Sequence, residues 1–222
     1  MNKLAFLQVD PVDAPAPRSP LAAEVLAAGD DPAVGLPRCR ETVGFADLSH
    51  LGAFELQGRA EEIAAAVPSR DGGQGPLATL DGDAWWCPVT PRRALVVDAV
   101  DAAEVNRAAV ESFRGYVLDV GAATAAIGIA GPLAREAIAR FCALDLRASS
   151  APPSAFRPGS IARTAGYVLC DAPDSYVLMF GAAYASYLWE VVADSADHLG
   201  GGPVGVGSLI GARHASGGGL DA

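Results

Sequence analysis

Two stretches of this chain, one early and one just past its midpoint, are written in the same order. The first is VGFADLSHLGAFELQG, Val43 to Gly58. Asp47 precedes an alternating apolar segment, and Gly58 ends that segment just before a helix-forming run. The second is YVLDVGAATAAIGIAGPLAREAIARF, Tyr116 to Phe141, with Asp119 and Gly131 in the corresponding places. The spacing from Asp47 to Gly58 nearly equals that from Asp119 to Gly131. A single strand-plus-helix unit cannot bury its own apolar face, whereas two related units can bury theirs against each other. The expected fold is α+β, with antiparallel sheet built from two related, intertwined strand-helix-strand halves. The halves are placed at about 43–115 and 116–200, within a domain covering 40–210. Residues 1–39 form an N-terminal extension with a short helix, and 211–222 a glycine-rich tail.

Local patterns fill in this scheme. Ser19 and Pro20 open a helix that Gly29 stops, and Gly29–Cys39 reads as a loop. Ala53–Gln57 alternates with period two, the mark of a strand with one wet face, and Arg59–Val67 reads as helix. Ser69–Pro76 is turn or loop, and strands follow at Trp85–Cys87 and Ala94–Ala99. Asp101–Phe113 makes a helix with 102, 105, 109 and 113 on one face. In the second half Leu133, Ala137, Ile138 and Phe141 form a helical stripe. Ser149–Ser160 reads as a loop, leading to paired strands Ile161–Cys170 and Ser175–Gly181. The last long helix spans about Ala183–His198, with Tyr184, Leu188, Val191 or Val192, and Leu199 as its apolar side. The end of the glycine-rich tail is expected to be disordered, or ordered only against a partner.

Charge and hydropathy narrow the partners. Sixteen basic residues face 26 acidic ones, for a formal net charge of -10. Nucleic acid and anionic membranes repel such a surface unless positive charge is clustered, and only Pro91-Arg92-Arg93 approaches a cluster. Half the residues are apolar, 19% are charged, and the mean hydropathy is +0.26. That balance suits a protein that covers part of its surface with a partner chain. No uninterrupted apolar run is long enough for a membrane span, and no signal-peptide pattern opens the chain. Cys39, Cys87, Cys142 and Cys170 are scattered, as are His50, His198 and His214. Metal-ligand spacing is absent, and free thiols in the cytoplasm are expected.

Asp47, Ser49 and His50 suggest an acid, a nucleophile and a base. In a strand, however, Ser49 and His50 point to opposite sides, and no nucleophile elbow surrounds the serine. Asp47 and Ser49 fit better as hydrogen-bonding locks on a turn backbone. Gly131-Pro132 fits a tight turn at a helix start. No catalytic residue and no metal ligand stands out. Trp85 is a candidate for contacting a bound ligand, and Arg92 and Arg93 are candidates for binding a carboxylate. Trp85-Trp86 and Tyr184, Tyr187 and Trp189 are aromatic concentrations suited to core packing or an interface, with stacking on a planar heterocycle as the alternative.

VGFADLSHLGAFELQG resembles the entry motif of the aminomethyltransferase (glycine-cleavage T-protein) superfamily, in which a D-[LV]-S-x-x-G segment precedes the first strand. DVGAATAAIGIAGPLAREAI, Asp119–Ile138, is similar to that superfamily's second-half segment with its G-P-x-A turn. Cys142–Leu146, Arg157–Gly159, Ala162–Thr164 and Ser175–Val192 resemble the gamma subunit of heterotetrameric sarcosine oxidase. The resemblance covers about 40–210 and rests on the order of these segments. It implies a folate-binding fold in a complex that oxidises an N-methyl amine on flavin and passes the methyl carbon to tetrahydrofolate. It further implies an assembly role for this chain beside flavoprotein subunits, the flavins lying in those partners. The aminomethyltransferases' asparagine-aspartate segment and acidic glycine-rich hairpin have no good counterpart; only Asp81-Gly82-Asp83 could stand in, which makes Asp81 and Asp83 the folate-contact candidates that the resemblance implies. Two alternatives stand beside the subunit reading: a small folate-dependent aminomethyl or methyl transferase, and a scaffolding domain unrelated to folate.

Overall fold

The computed structural model describes residues 19–28, 31–67, 77–100 and 108–217. It pairs the first strand of each copy with the second strand of the other. β1 (Gly44–Asp47) lies antiparallel to β7 (Thr124–Ala130), and β6 (Tyr116–Asp119) lies antiparallel to β2 (Ala53–Gln57). The cause sits at the two aspartates. Asp47 Oδ1 accepts the Ser49 N–H at 2.8 Å, and Asp119 Oδ1 accepts the Gly121 N–H at 3.1 Å. Each carboxylate closes a turn on its own backbone and stops the strand there. Each ladder runs one bond further before the chain crosses to the other sheet. Leu48 N–H reaches the Ala126 carbonyl and Val120 N–H the Ala53 carbonyl, both at 2.9 Å.

Two sheets result. One runs β11 (Gly202–Pro203), β1, β7, β10 (Ser175–Gly181), β9 (Thr164–Ala172), β8 (Phe156–Ile161). The other runs β3 (Thr79–Asp81), β4 (Ala84–Thr90), β5 (Arg93–Asp98), β2, β6. With β11 set aside they match strand for strand: β1, β7, β10, β9, β8 answer to β6, β2, β5, β4, β3. The repeat glycines match as well. Gly58 N–H bonds to the Arg92 carbonyl at 3.2 Å, and Gly131 N–H to the Asp174 carbonyl at 3.0 Å.

The sheets pack face to face, with helices on both outer sides. The middle layer holds Leu48, Trp85, Cys87, Leu95, Val97, Phe156, Leu169 and Met179. Outside the six-stranded sheet, α5 (Ala134–Ala139) and α6 (Ala185–Asp197) cover Phe45, Ile127, Ile129 and Leu178. There Phe45 meets Trp189 edge-on at 4.8 Å. Outside the five-stranded sheet, α3 (Ala60–Ala66) and α4 (Ala108–Glu111) cover Phe54, Leu56, Trp86 and Val96. Strands buried on both faces explain the unbroken apolar runs AAIGIA and YVLMF, which period-two patterning does not describe.

Several expectations change. Gly29–Cys39 is not a loop, because α2 occupies Pro32–Glu41. Asp31 accepts the Ala33 N–H at 3.0 Å and Pro32 sits in the first turn, so the start signal outweighs Gly35 and Pro37. Residues 156–160, read as loop, belong to β8. Pro158 is tolerated there because β8 is an edge strand. The turn falls at Ala162 and Arg163, with φ 43° and 67°, so Ile161 ends β8 rather than opening β9. Tyr184 is 52% exposed, and the buried side of α6 is Ala185, Leu188, Trp189, Val192 and Ala196. The glycine-rich tail begins inside α7 (Val206–Gly217), whose Leu209 and Ala212 are buried.

The helix after Ser19 is present as α1 (Ala22–Ala28), with Ser19 Oγ accepting the Leu21 N–H at 3.0 Å. Residues 1–18, the loop at 69–76, the first part of the 101–113 helix and positions 218–222 lie outside the described residues. No helix among the described residues is long and apolar enough to cross a membrane.

Candidate functional site

Where the two sheets part, a cleft of about 410 Å³ opens into the middle layer. Glu55 and Leu95 line it from the five-stranded sheet, and Gly159, Gly166, Tyr167 and Phe180 from the six-stranded one. The period-two alternation of β2 puts Glu55 here. Phe54 and Leu56 face the α3 side, and Glu55 faces the other sheet beside Leu95, its cross-strand neighbour. Gly159 and Gly166 are direct partners on β8 and β9, and the places of their missing side chains are taken by Leu144 and Ile161, which pack close against the strands there.

Polar groups converge on one wall. Arg93 grips the Glu55 carboxylate with two donors, Nη2 at 2.5 Å from Oε2 and Nε at 3.2 Å from Oε1. Gln57 Nε2 also donates to Glu55 Oε1. Burial pushes the Glu55 carboxyl up, but the bonds from Arg93 and Gln57 outweigh it and hold it below its ordinary 4.5. The Tyr167 hydroxyl lies beside the Arg93 guanidinium, and its ring stacks on fully buried Phe156 at 5.2 Å and 17°. The site therefore offers a fixed ionised carboxylate, a pinned aromatic face and an apolar floor. Those features suit a planar, partly apolar molecule carrying N–H donors.

Glu55 also predicts an acid limb in stability. A carboxyl with a depressed folded pKa contributes stability above its unfolded value and loses it as pH falls through the folded one. Thermal unfolding of Glu55→Gln below pH 4.5 is expected to show a weaker acid dependence than the unsubstituted chain. The pair is part-exposed, so the difference is small.

Asp81, Asp83, Trp85 and Arg92, expected to contact a ligand, are not gathered here. Asp81 and Asp83 flank Gly82 on the exposed β3–β4 turn, and Asp81 borders a separate depression beside Trp86 and Phe113 on the α3 side. Arg92 is exposed at the opposite end of β4, whose seven residues span roughly 20 Å. Trp85 is 4% exposed and packs in the middle layer as core. Sequence reading marked Arg92 and Arg93 as possible carboxylate binders, and Arg93 does hold one, but it missed Glu55 and Tyr167. The polar residue inside AFELQ was the available signal for Glu55; nothing local joins it to Tyr167.

The Asp47–His50 cluster behaves as a lock. Asp47 Oδ2 accepts the Ser19 hydroxyl. Ser49 Oγ accepts the Ala126 N–H at 3.1 Å and donates to the Ala126 carbonyl at 3.4 Å, which binds the turn to β7. His50 is exposed on that turn. Gly131, at φ 131°, and Pro132 carry the chain from β7 into α5. All four cysteines are buried and free. Burial raises the Cys39 thiol to about 11 and the Cys170 thiol to about 12, and raises those of Cys87 and Cys142 as well, so none is a thiolate at neutral pH.

No protein-family model matches the chain, and no curated protein matches it in sequence. Solved structures do. A chain of the heterotetrameric sarcosine oxidase from Corynebacterium sp. U-96, in complex with pyrrole 2-carboxylate, matches at TM-score 0.65 and 17% identity, over 82% of this chain and 95% of that one. Aminomethyltransferase T of the glycine cleavage system from Bartonella henselae matches at TM-score 0.64 and 16% identity, over 87% of this chain. The match spans 61% of that enzyme. The chain thus has an antiparallel α+β fold similar to that of a sarcosine oxidase chain and of aminomethyltransferase T.

Proposed function

We propose that this chain is a non-catalytic, gamma-like subunit of a hetero-oligomeric oxidase of sarcosine or a related N-methyl amine. It supports the assembly of flavoprotein subunits whose demethylation is coupled to tetrahydrofolate. The observation that carries the reading is the extent of the match. Nearly the whole of a sarcosine oxidase chain is reproduced, against 61% of aminomethyltransferase T. Two features support it. The Glu55 carboxylate is held by Arg93 and kept ionised, unlike a general acid or base poised near neutral pH. The thiols are protonated, and Ser49 is spent on backbone.

The inter-sheet cleft favours a second reading, a small folate-dependent aminomethyl or methyl transferase. Its carboxylate and aromatic face suit a reduced pterin ring. Incubating the isolated chain with tetrahydrofolate and a methylamine donor separates the two. No transfer above background is expected. Turnover that Glu55→Gln abolishes would replace the subunit reading with the transferase one.

A further inference from the structure

The strand β6 is exposed along its whole length, with Tyr116 at 78%, Val117 at 40% and Leu118 at 43%. Its counterpart β1 is buried over Gly44–Ala46 and carries β11 in parallel on its outer side. Among the described residues no strand pairs with the outer side of β6. Apolar strand edges of this kind template pairing with another chain unless a lysine, proline or bulge blunts them, and Tyr116–Leu118 contains none of these.

The pairing with β2 fixes what the edge presents. Val120 N–H bonds to the Ala53 carbonyl, so Leu118 and Tyr116 also turn their backbone groups toward β2. Val117, between them, turns its N–H and C=O outward. Leu118 and Tyr116 share a face with Glu55 and Gln57, and Val117 shares the opposite face with Leu56.

We propose that a second copy of this chain adds its β6 here, antiparallel, with Val117 opposite Val117 across a twofold axis. Two five-stranded sheets then become one of ten. An axis perpendicular to the sheet keeps every side chain on its own face, so the register closes only with one residue at its centre. Centring on Val117 sets its outward N–H and C=O against those of the second copy. Tyr116 then lies opposite Leu118 of the second copy, twice over, and Gly115 opposite Asp119. Aromatic–aliphatic pairs are favourable across strands, and no like charges meet. The inference concerns the chain's own edge and stands apart from the functional reading.

Sedimentation of the full chain tests it. The expected species has twice the 22.6 kDa of the chain and dissociates reversibly over about a hundredfold dilution. Leu118→Lys is expected to sediment as a monomer throughout, with the melting temperature that the unsubstituted chain shows when diluted to monomer, while Leu80→Lys, 46% exposed on the other edge strand, leaves the dimer intact. Exchange of the Val117 amide should slow as concentration rises, a readout that needs no variant. A monomer at every concentration, or a dimer indifferent to Leu118→Lys, would overturn the proposal. So would a monomer whose Leu118→Lys form fails to join its flavoprotein, which would give the edge to that partner.

Discussion

Replacing Gly131 by alanine is expected to cost about 3 kcal/mol of stability, whereas the same change at Gly58 costs about 1 kcal/mol or less. The two glycines end equivalent strands, but their surroundings differ. At Gly131 φ is 131°, and a Cβ would lie 2.4 Å from the Thr42 carbonyl oxygen and 2.7 Å from that of Cys39. Both are backbone atoms at the end of α2, so relief means moving that helix. At Gly58 the nearest atoms are Glu62 Oε2 at 2.9 Å and Phe113 Cζ at 3.1 Å, side-chain ends that can swing aside. For a chain of this length about 3 kcal/mol corresponds to a drop of roughly 6–12 °C in melting temperature. Thermal unfolding followed by circular dichroism reads it directly. Equal, small shifts in both variants would mean that α2 does not press on the second glycine.

The second large effect is at Asp171 on β9. Its side chain is fully buried, and Arg213 of α7, 10% exposed, pairs with it at 2.8 Å. Burial pushes the Asp171 carboxyl up, and the Arg213 charge offsets part of that. Arg213 Nε and Nη1 are buried with no protein acceptor, so the carboxylate is the principal compensation for that guanidinium. Asp171→Ala strands the charge and is expected to cost about 3–5 kcal/mol. Combining Asp171→Leu with Arg213→Met removes both desolvation penalties and is expected to recover most of the loss. Denaturant unfolding measures all three forms. A loss under about 1 kcal/mol in Asp171→Ala would show that water, rather than Asp171, stabilises Arg213.

This pair also shows what the sequence withholds. The glycines after Gly200 suggest a loose tail, yet Arg213 lies within α7, and its acidic partner stands far upstream on β9. Likewise α2 and β8 contain Gly35, Pro37, Pro158 and Gly159, and only a helix cap or an edge position makes those residues compatible with regular structure. The repeat was legible because it depends on local chemistry: an aspartate that closes a turn, a glycine that ends a strand, an apolar run between them. The strand exchange between copies was not legible in detail, since it depends on which strand receives Leu48 and Val120. The candidate site divides the same way. Glu55 shows itself as a polar residue in a half-buried strand, whereas Arg93 and Tyr167 reach it only through sheet pairing and sheet packing. Asp81 and Asp83 drew attention as the nearest acidic pair around a glycine, and the hairpin turns them away from the cleft.

The most direct test is to isolate the chain, tagged, from its own cells and measure the mass and visible absorbance of what it belongs to. The expected result is a stoichiometric complex larger than two copies of this chain, with bound flavin carried by other subunits. A colourless preparation containing this chain alone, with tetrahydrofolate binding that Tyr167→Ala weakens, would contradict the subunit reading.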